Sequence, residues 1–156
     1  MSVDLSHMVI TVQHRFPAPI EVVWDLLSDL PAMAAFSDEV AVLTWTGPRT
    51  FLATNRLGGQ EWTVHGHVVQ SERPHLLRWT VLDPDCPSST WELELVRDGG
   101  SATAVTQRFA HGPGPSGVRR AAEADPGALE ELVAGRTTML REAMRTSLDR
   151  AARSLA

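Results

Sequence analysis

From Met8 to Phe16 the chain alternates, with Met8, Ile10, Val12, His14 and Phe16 on one side and Val9, Thr11, Gln13 and Arg15 on the other. That period of two marks a half-buried strand. Pro17 and Pro19 end it, and Pro19 opens a helix because its missing N–H is not needed there. Ile20, Val23, Trp24 and Leu27 recur at helical steps to about Ser28, and Pro31 begins a second short helix with Asp29 beside its positive end. Six strands are then predicted, over 39–46, 50–57, 61–70, 75–82, 90–96 and 102–110, separated by Gly47-Pro48, Gly58-Gly59, Arg73-Pro74, a Pro84/Pro87 loop and Asp98-Gly99-Gly100. Such short turns make successive strands antiparallel neighbours. His111-Gly-Pro-Gly-Pro-Ser-Gly117 reads as a mobile loop leading to a short segment over 118–124. Asp125 at the N-cap and Pro126 at N1 then start a long helix, with Leu129, Val133, Leu140, Met144, Leu148, Ala151 and Leu155 near one face.

A sheet and one long helix must bury their apolar sides against each other. Bulky aromatic strand residues facing a single helix leave space between the layers, and function is expected there. The 156 residues suffice for one domain over 1–156 with a proper core. Net charge is −5 with acids and bases interspersed, so no basic stripe awaits a nucleic acid. Cys86 is the single cysteine, which excludes an internal disulfide and fits a reducing compartment; in Asp-Pro-Asp-Cys-Pro it reads as an unreactive loop tip. The first twelve residues lack a signal-peptide pattern, and no apolar run approaches the ~18 residues of a membrane span, so a cytoplasmic location is expected.

Arg136 falls on the apolar stripe of the last helix, where a charge is costly unless paired or facing a wet cavity. Its planar fork suits an acidic or carbonyl group of a ligand, or it snorkels to water from the stripe's edge. Gly135 weakens the helix beside it, and Thr137 offers a hydroxyl. His65 and His67 share one side of a strand whose other side carries Trp62, Val64 and Val68. Hydrophobicity puts the tryptophan side inside, yet Val69 shares the histidine side, so both orientations stay open. A metal site would need a third ligand that no residue supplies convincingly, so neither metal nor cofactor is expected. Trp79 shares a side with Leu77 and Val81, and Trp91 with Leu93 and Leu95; charged neighbours force those sides inward. Asn55, alternating with Phe51 and Ala53, and Gln107, between Val105 and Phe109, would be buried amides in need of partners. His14 reads as a satisfied core histidine. The chain has no tyrosine, so no phenol can donate a proton.

The order of elements resembles the START/Bet v 1-like (SRPBCC) helix-grip superfamily, specifically its bacterial polyketide cyclase/dehydrase branch. The residues that carry the resemblance are Phe16-Pro-Ala-Pro-Ile-Glu-Val-Val-Trp24, Leu26-Leu-Ser-Asp29, Asn55 with Trp62, Gly66-His-Val-Val-Gln70 before Arg73-Pro74, Gly99-Gly-Ser-Ala-Thr-Ala-Val-Thr-Gln107 and Met144-Arg-Thr-Ser-Leu148. It covers essentially the whole chain. It implies an α+β fold in which a curved antiparallel sheet of about seven strands grips the C-terminal helix around a cavity. Short helices and loops would rim the mouth, with Phe36 near it. The resemblance also implies that His65 and His67 face inward, as polar groups at matching positions do in aromatase/cyclases.

The leading expectation is a binder of a hydrophobic, aromatic or polyketide-like small molecule, as a monomer or homodimer. Trp79, Trp91, Phe51, Phe109, Leu140 and Met144 would pack on it, while Arg136, Thr137, Asn55 and Gln107 orient it. One alternative is a polyketide aromatase/cyclase or dehydratase, with Arg136 stabilising an enolate and His65 or His67 moving the proton. Another is a protein-interaction module, which an apolar patch around the mouth would favour.

Overall fold

The computed structural model describes residues 3–156. Strand β1 (Val9–Phe16) is followed by helices α1 (Ile20–Leu27) and α2 (Leu30–Ala34). Strands β2 (Val40–Trp45), β3 (Thr50–Leu57), β4 (Gln60–Glu72), β5 (Leu76–Val81), β6 (Ser89–Arg97) and β7 (Thr103–His111) come next. Helix α3 (Gly117–Ala124), a 3-10 turn (Pro126–Ala128) and helix α4 (Leu129–Ser154) complete the chain. The strands form one antiparallel sheet in the order β1-β7-β6-β5-β4-β3-β2, curved around α4 in the expected helix-grip arrangement. Among the described residues no helix is long and apolar enough to cross a membrane.

The alternation seen in the sequence decides which side of each strand is buried. In β1, Ile10, Val12 and Phe16 are buried while Val9, Thr11, Gln13 and Arg15 are exposed. In α1 the 3- and 4-residue spacing of Ile20, Val23, Trp24 and Leu27 buries all four. The Asp29 carboxylate accepts from the Ala32 N–H at 3.3 Å and caps α2. Two expected features of the last third differ. Asp125 makes no side-chain cap, because the chain first takes a 3-10 turn at Pro126–Ala128 and α4 begins only at Leu129.

The segment 112–117 is anchored rather than free. The Gly112 and Gly114 N–H groups donate to Ser88 O and Pro87 O, both at 2.8 Å. A Cβ on either glycine would lie under 3.0 Å from the Pro87 backbone, so only glycine lets the two loops approach this closely. Arg119 of α3 is buried and donates to Gly114 O (2.9 Å), Gly112 O (3.0 Å) and Val3 O (2.6 Å). The Ser116 hydroxyl caps α3 by accepting from the Arg119 N–H at 2.9 Å.

Helix α4 is unevenly packed, and this positions the site. Its buried residues are Leu140, Met144, Leu148, Ala151 and Ala152, all from Leu140 onward, and the helix packs along β1. Before Leu140 no residue of α4 is buried, and Met139 is half exposed. The first half therefore stands away from the sheet, and the space beneath it is not filled by side chains.

Candidate functional site

That space is a cavity of about 1270 Å³ between the inner face of the sheet and α4. Strand pairing sets its wall in rows. Ile10 lies opposite Phe109, Phe109 opposite Trp91, Trp91 opposite Trp79, and Trp79 opposite Val68. The Trp79 and Trp91 ring planes are parallel within 3° at a centroid distance of 6.2 Å, and Phe109 meets Trp91 edge-on at 5.0 Å and 70°. The Trp91 Nε1–H donates to the Ser89 hydroxyl at 3.1 Å, so this ring is fixed while its face stays apolar. Toward the closed end the next row pairs Val12 with Gln107 and Gln107 with Leu93. Gln107 lines the cavity, and its Oε1 is buried without a hydrogen-bond partner. Toward the open end the row holds His111, Ser89, Val81, Gly66 and Phe51. Asn55, opposite Trp62, stands near the β3–β4 hairpin. Trp62 and Met139 leave 39% and 50% of their surface exposed at the rim, which is therefore partly apolar.

Leu140 and Met144 close the opposite wall, and Arg136 stands one turn nearer the mouth. Its guanidinium neither projects into open solvent nor stands alone. Nη1 and Nη2 donate to Glu39 Oε2 and Oε1 at 2.9 and 2.7 Å, a two-pronged ion pair joining α4 to the start of β2. Arg150 makes a second link to the same segment, reaching the Asp38 carboxylate at 2.7 Å and Phe36 O at 3.3 Å. His111 lies with Nδ1 2.7 Å from Gly112 O and Nε2 2.7 Å from the Ser116 hydroxyl. Burial holds its pKa below the usual histidine value, favouring the neutral ring.

Of the residues singled out in the sequence, Phe51, Asn55, Trp79, Trp91, Gln107, Phe109, Arg136, Leu140 and Met144 line this one cavity. Four do not. His65 and His67 face the outer side of the sheet, because a Cβ on Gly66 between them would run into the Phe51 ring on the inner side. That placement removes both histidines from cavity chemistry. His65 is exposed; His67 lies opposite Thr80, and His67 Nδ1 and Thr80 Oγ1 are buried without partners on that outer face. Phe36 is half-buried against the core and does not line the cavity, and its carbonyl accepts from Arg150 of α4 at 3.3 Å. Thr137 is turned off the cavity by the helical step of about 100° from Arg136. His14 is half-buried with Nε2 3.3 Å from Asp149 Oδ1.

Among the cavity residues that escaped sequence reasoning are His111 and Glu39. His111 had a signal, since it continues the inward parity of Phe109 two residues on. Glu39 had none, because its partner is 97 residues away. Among the described residues no cluster of three or more potential metal ligands occurs.

A family model described as polyketide cyclase / dehydrase and lipid transport matches residues 7–156, and the chain belongs to that family. Solved structures share the fold at low identity. A polyketide-cyclase-like protein of Corynebacterium glutamicum is 19% identical, with 95% of this chain and 91% of that one covered and a TM-score of 0.68. A START superfamily protein of Mycobacterium smegmatis is 15% identical over 85% and 98% of the two chains, with a TM-score of 0.58. The di-domain aromatase/cyclase BexL of the BE-7585A biosynthetic pathway is 17% identical with a TM-score of 0.66; 92% of this chain matches 48% of that one, so the chain spans about half its length. No curated protein matches the chain in sequence.

Proposed function

We propose that this member of the polyketide cyclase/dehydrase and lipid transport family holds a hydrophobic, polycyclic aromatic molecule of polyketide-like skeleton between its sheet and α4. The observation that carries this reading is the aromatic row Trp79–Trp91–Phe109 facing an unfilled space of about 1270 Å³. A flat ring system laid on Trp79 gains stacking of about 0.5–1.5 kcal/mol beyond its buried area. Leu140 and Met144 pack on it from the helix side, and Asn55 and Gln107 provide amides for hydroxyl or carbonyl groups.

Binding without chemistry is favoured over cyclisation in the same cavity. A cyclase needs a group placed to move protons. His65 and His67 lie on the other face, His111 has a polar contact at each ring nitrogen, and Arg136 is held by Glu39. An interaction module with a filled interior fits the unfilled cavity less well, although the apolar rim at Trp62 and Met139 suits the passage of a greasy ligand.

Native mass spectrometry of the protein purified from its own host tests the proposal. A retained organic molecule at one per chain, lost in Trp79→Ala/Trp91→Ala, is the expected result. A retained molecule that the protein converts on incubation would favour cyclisation. Bare protein that also binds no added polycyclic aromatic would overturn the reading.

A further inference from the structure

Which charges the cavity leaves uncompensated bears on what it admits, given the reading that it binds a small molecule. Among the described residues six ionisable ones line it: Glu39, Glu61, His111, Arg120, Glu131 and Arg136. Glu61, Arg120 and Glu131 are exposed at the rim, where water screens them. The inner three are Arg136, Glu39 and His111. Both terminal nitrogens of Arg136 are engaged by the two oxygens of Glu39, with only 22% and 16% of the two side chains exposed. The two ring nitrogens of His111 contact Gly112 O and the Ser116 hydroxyl. The interior thus carries one positive and one negative group, already joined.

A carboxylate entering between the tryptophans and Leu140 loses its hydration and meets no open cation. Glu39 neutralises Arg136, so the entering group gains the full charge of that guanidinium only by displacing Glu39, which leaves the Glu39 carboxylate part-buried and unpaired. An alcohol or ketone of the same skeleton meets no such conflict, because the Asn55 and Gln107 amides bond neutral oxygens. We infer that the cavity selects uncharged ligands, and that Glu39, by holding Arg136, is the residue that sets this selectivity.

Two probes of one skeleton separate the possibilities: 2-(hydroxymethyl)anthraquinone and anthraquinone-2-carboxylate, titrated at pH 7 against tryptophan fluorescence. The wild type is expected to bind the alcohol at least tenfold more tightly than the carboxylate. Glu39→Gln, which keeps the shape and frees the guanidinium, is expected to tighten carboxylate binding at least tenfold and leave the alcohol within about threefold. Glu39→Gln/Arg136→Met is expected to lose that gain. Equal or better binding of the carboxylate by the wild type overturns the inference, whatever the fate of the variants. A folded Glu39→Gln protein with unchanged preference overturns it as well. Failure of both probes to bind any of the proteins overturns the binding reading itself, and this inference with it.

Discussion

Adding one methyl group at each of two glycines on opposite walls of the cavity should have effects of opposite sign. Gly66 sits on β4 with the Phe51 ring over it; a Cβ there would lie under 3.0 Å from three ring atoms, and Phe51 is only 2% exposed. The ring packs edge-on against Trp45 at a centroid distance of 6.0 Å, so a shift toward the cavity it lines gives up that contact. Overpacking of this kind costs about 1–3 kcal/mol. Removal of a strand glycine offsets about 0.5–1 kcal/mol of that cost. Gly66→Ala should therefore destabilise the fold by about 1 kcal/mol, within a span of about 0–2.5 kcal/mol. Gly135 lies inside α4, and a Cβ there meets nothing within 4 Å. Gly135→Ala should stabilise by about 0.8–1 kcal/mol, the helix-propensity difference alone. For a chain of this size each kcal/mol moves Tm by about 2–4 °C. Equilibrium urea denaturation of both variants, with Tm as a second readout, measures the split. A Gly66→Ala protein more stable than the wild type would refute the reasoning. It would mean that Phe51 does not cover Gly66, and the outward placement of His65 and His67 would lose its support.

Three further outcomes follow from the same geometry. His65→Ala and His67→Ala should each leave the affinity for 2-(hydroxymethyl)anthraquinone within about twofold, and a tenfold loss in either would place that ring in the site. Arg119→Leu removes charged hydrogen bonds to three carbonyls, each worth about 1.5–3 kcal/mol and not additive. Denaturation should show at least about 3 kcal/mol lost, with new proteolytic cleavage over 112–117; an uncut, equally stable variant would contradict the anchoring. Burial lowers the pKa of His111, so the unfolded chain takes up the proton at higher pH than the folded one. Stability should then fall as pH drops through about 6.5 and level off once the folded state is also protonated. His111→Gln should flatten this slope between pH 7 and 5, and an unchanged slope would remove His111 as its cause.

The fold was legible because each element declares itself locally. The alternation in β1, the spacing of Ile20, Val23, Trp24 and Leu27, and the double glycines at 58–59 each specify a strand, a helix or a turn from neighbouring residues. The aromatic row was legible for the same reason, since Trp79 and Trp91 sit among charged neighbours that force their parity. What was hidden depends on contacts between distant residues. Glu39 shows nothing in its own surroundings that marks it as the partner of Arg136, and the proline- and glycine-rich stretch 112–117 looks loose until Arg119 is seen to hold its carbonyls. His65 and His67 were ambiguous because Val69 follows them on the apparent histidine side. The structure resolves this with a register shift between Val68 and Gln70, which breaks the period-two count at Val69.

The hollow itself is tested most directly by a neutral reporter dye, N-phenyl-1-naphthylamine, titrated into the wild type and into Ala143→Trp. Ala143 lines the cavity between Leu140 and Ser147, so an indole there would occupy the space a ligand needs. The expected result is a saturable fluorescence rise at one dye per wild-type chain, lost in an Ala143→Trp protein whose circular dichroism is unchanged. No rise in the wild type, or an equal rise in the variant, would contradict a binding space between the sheet and α4.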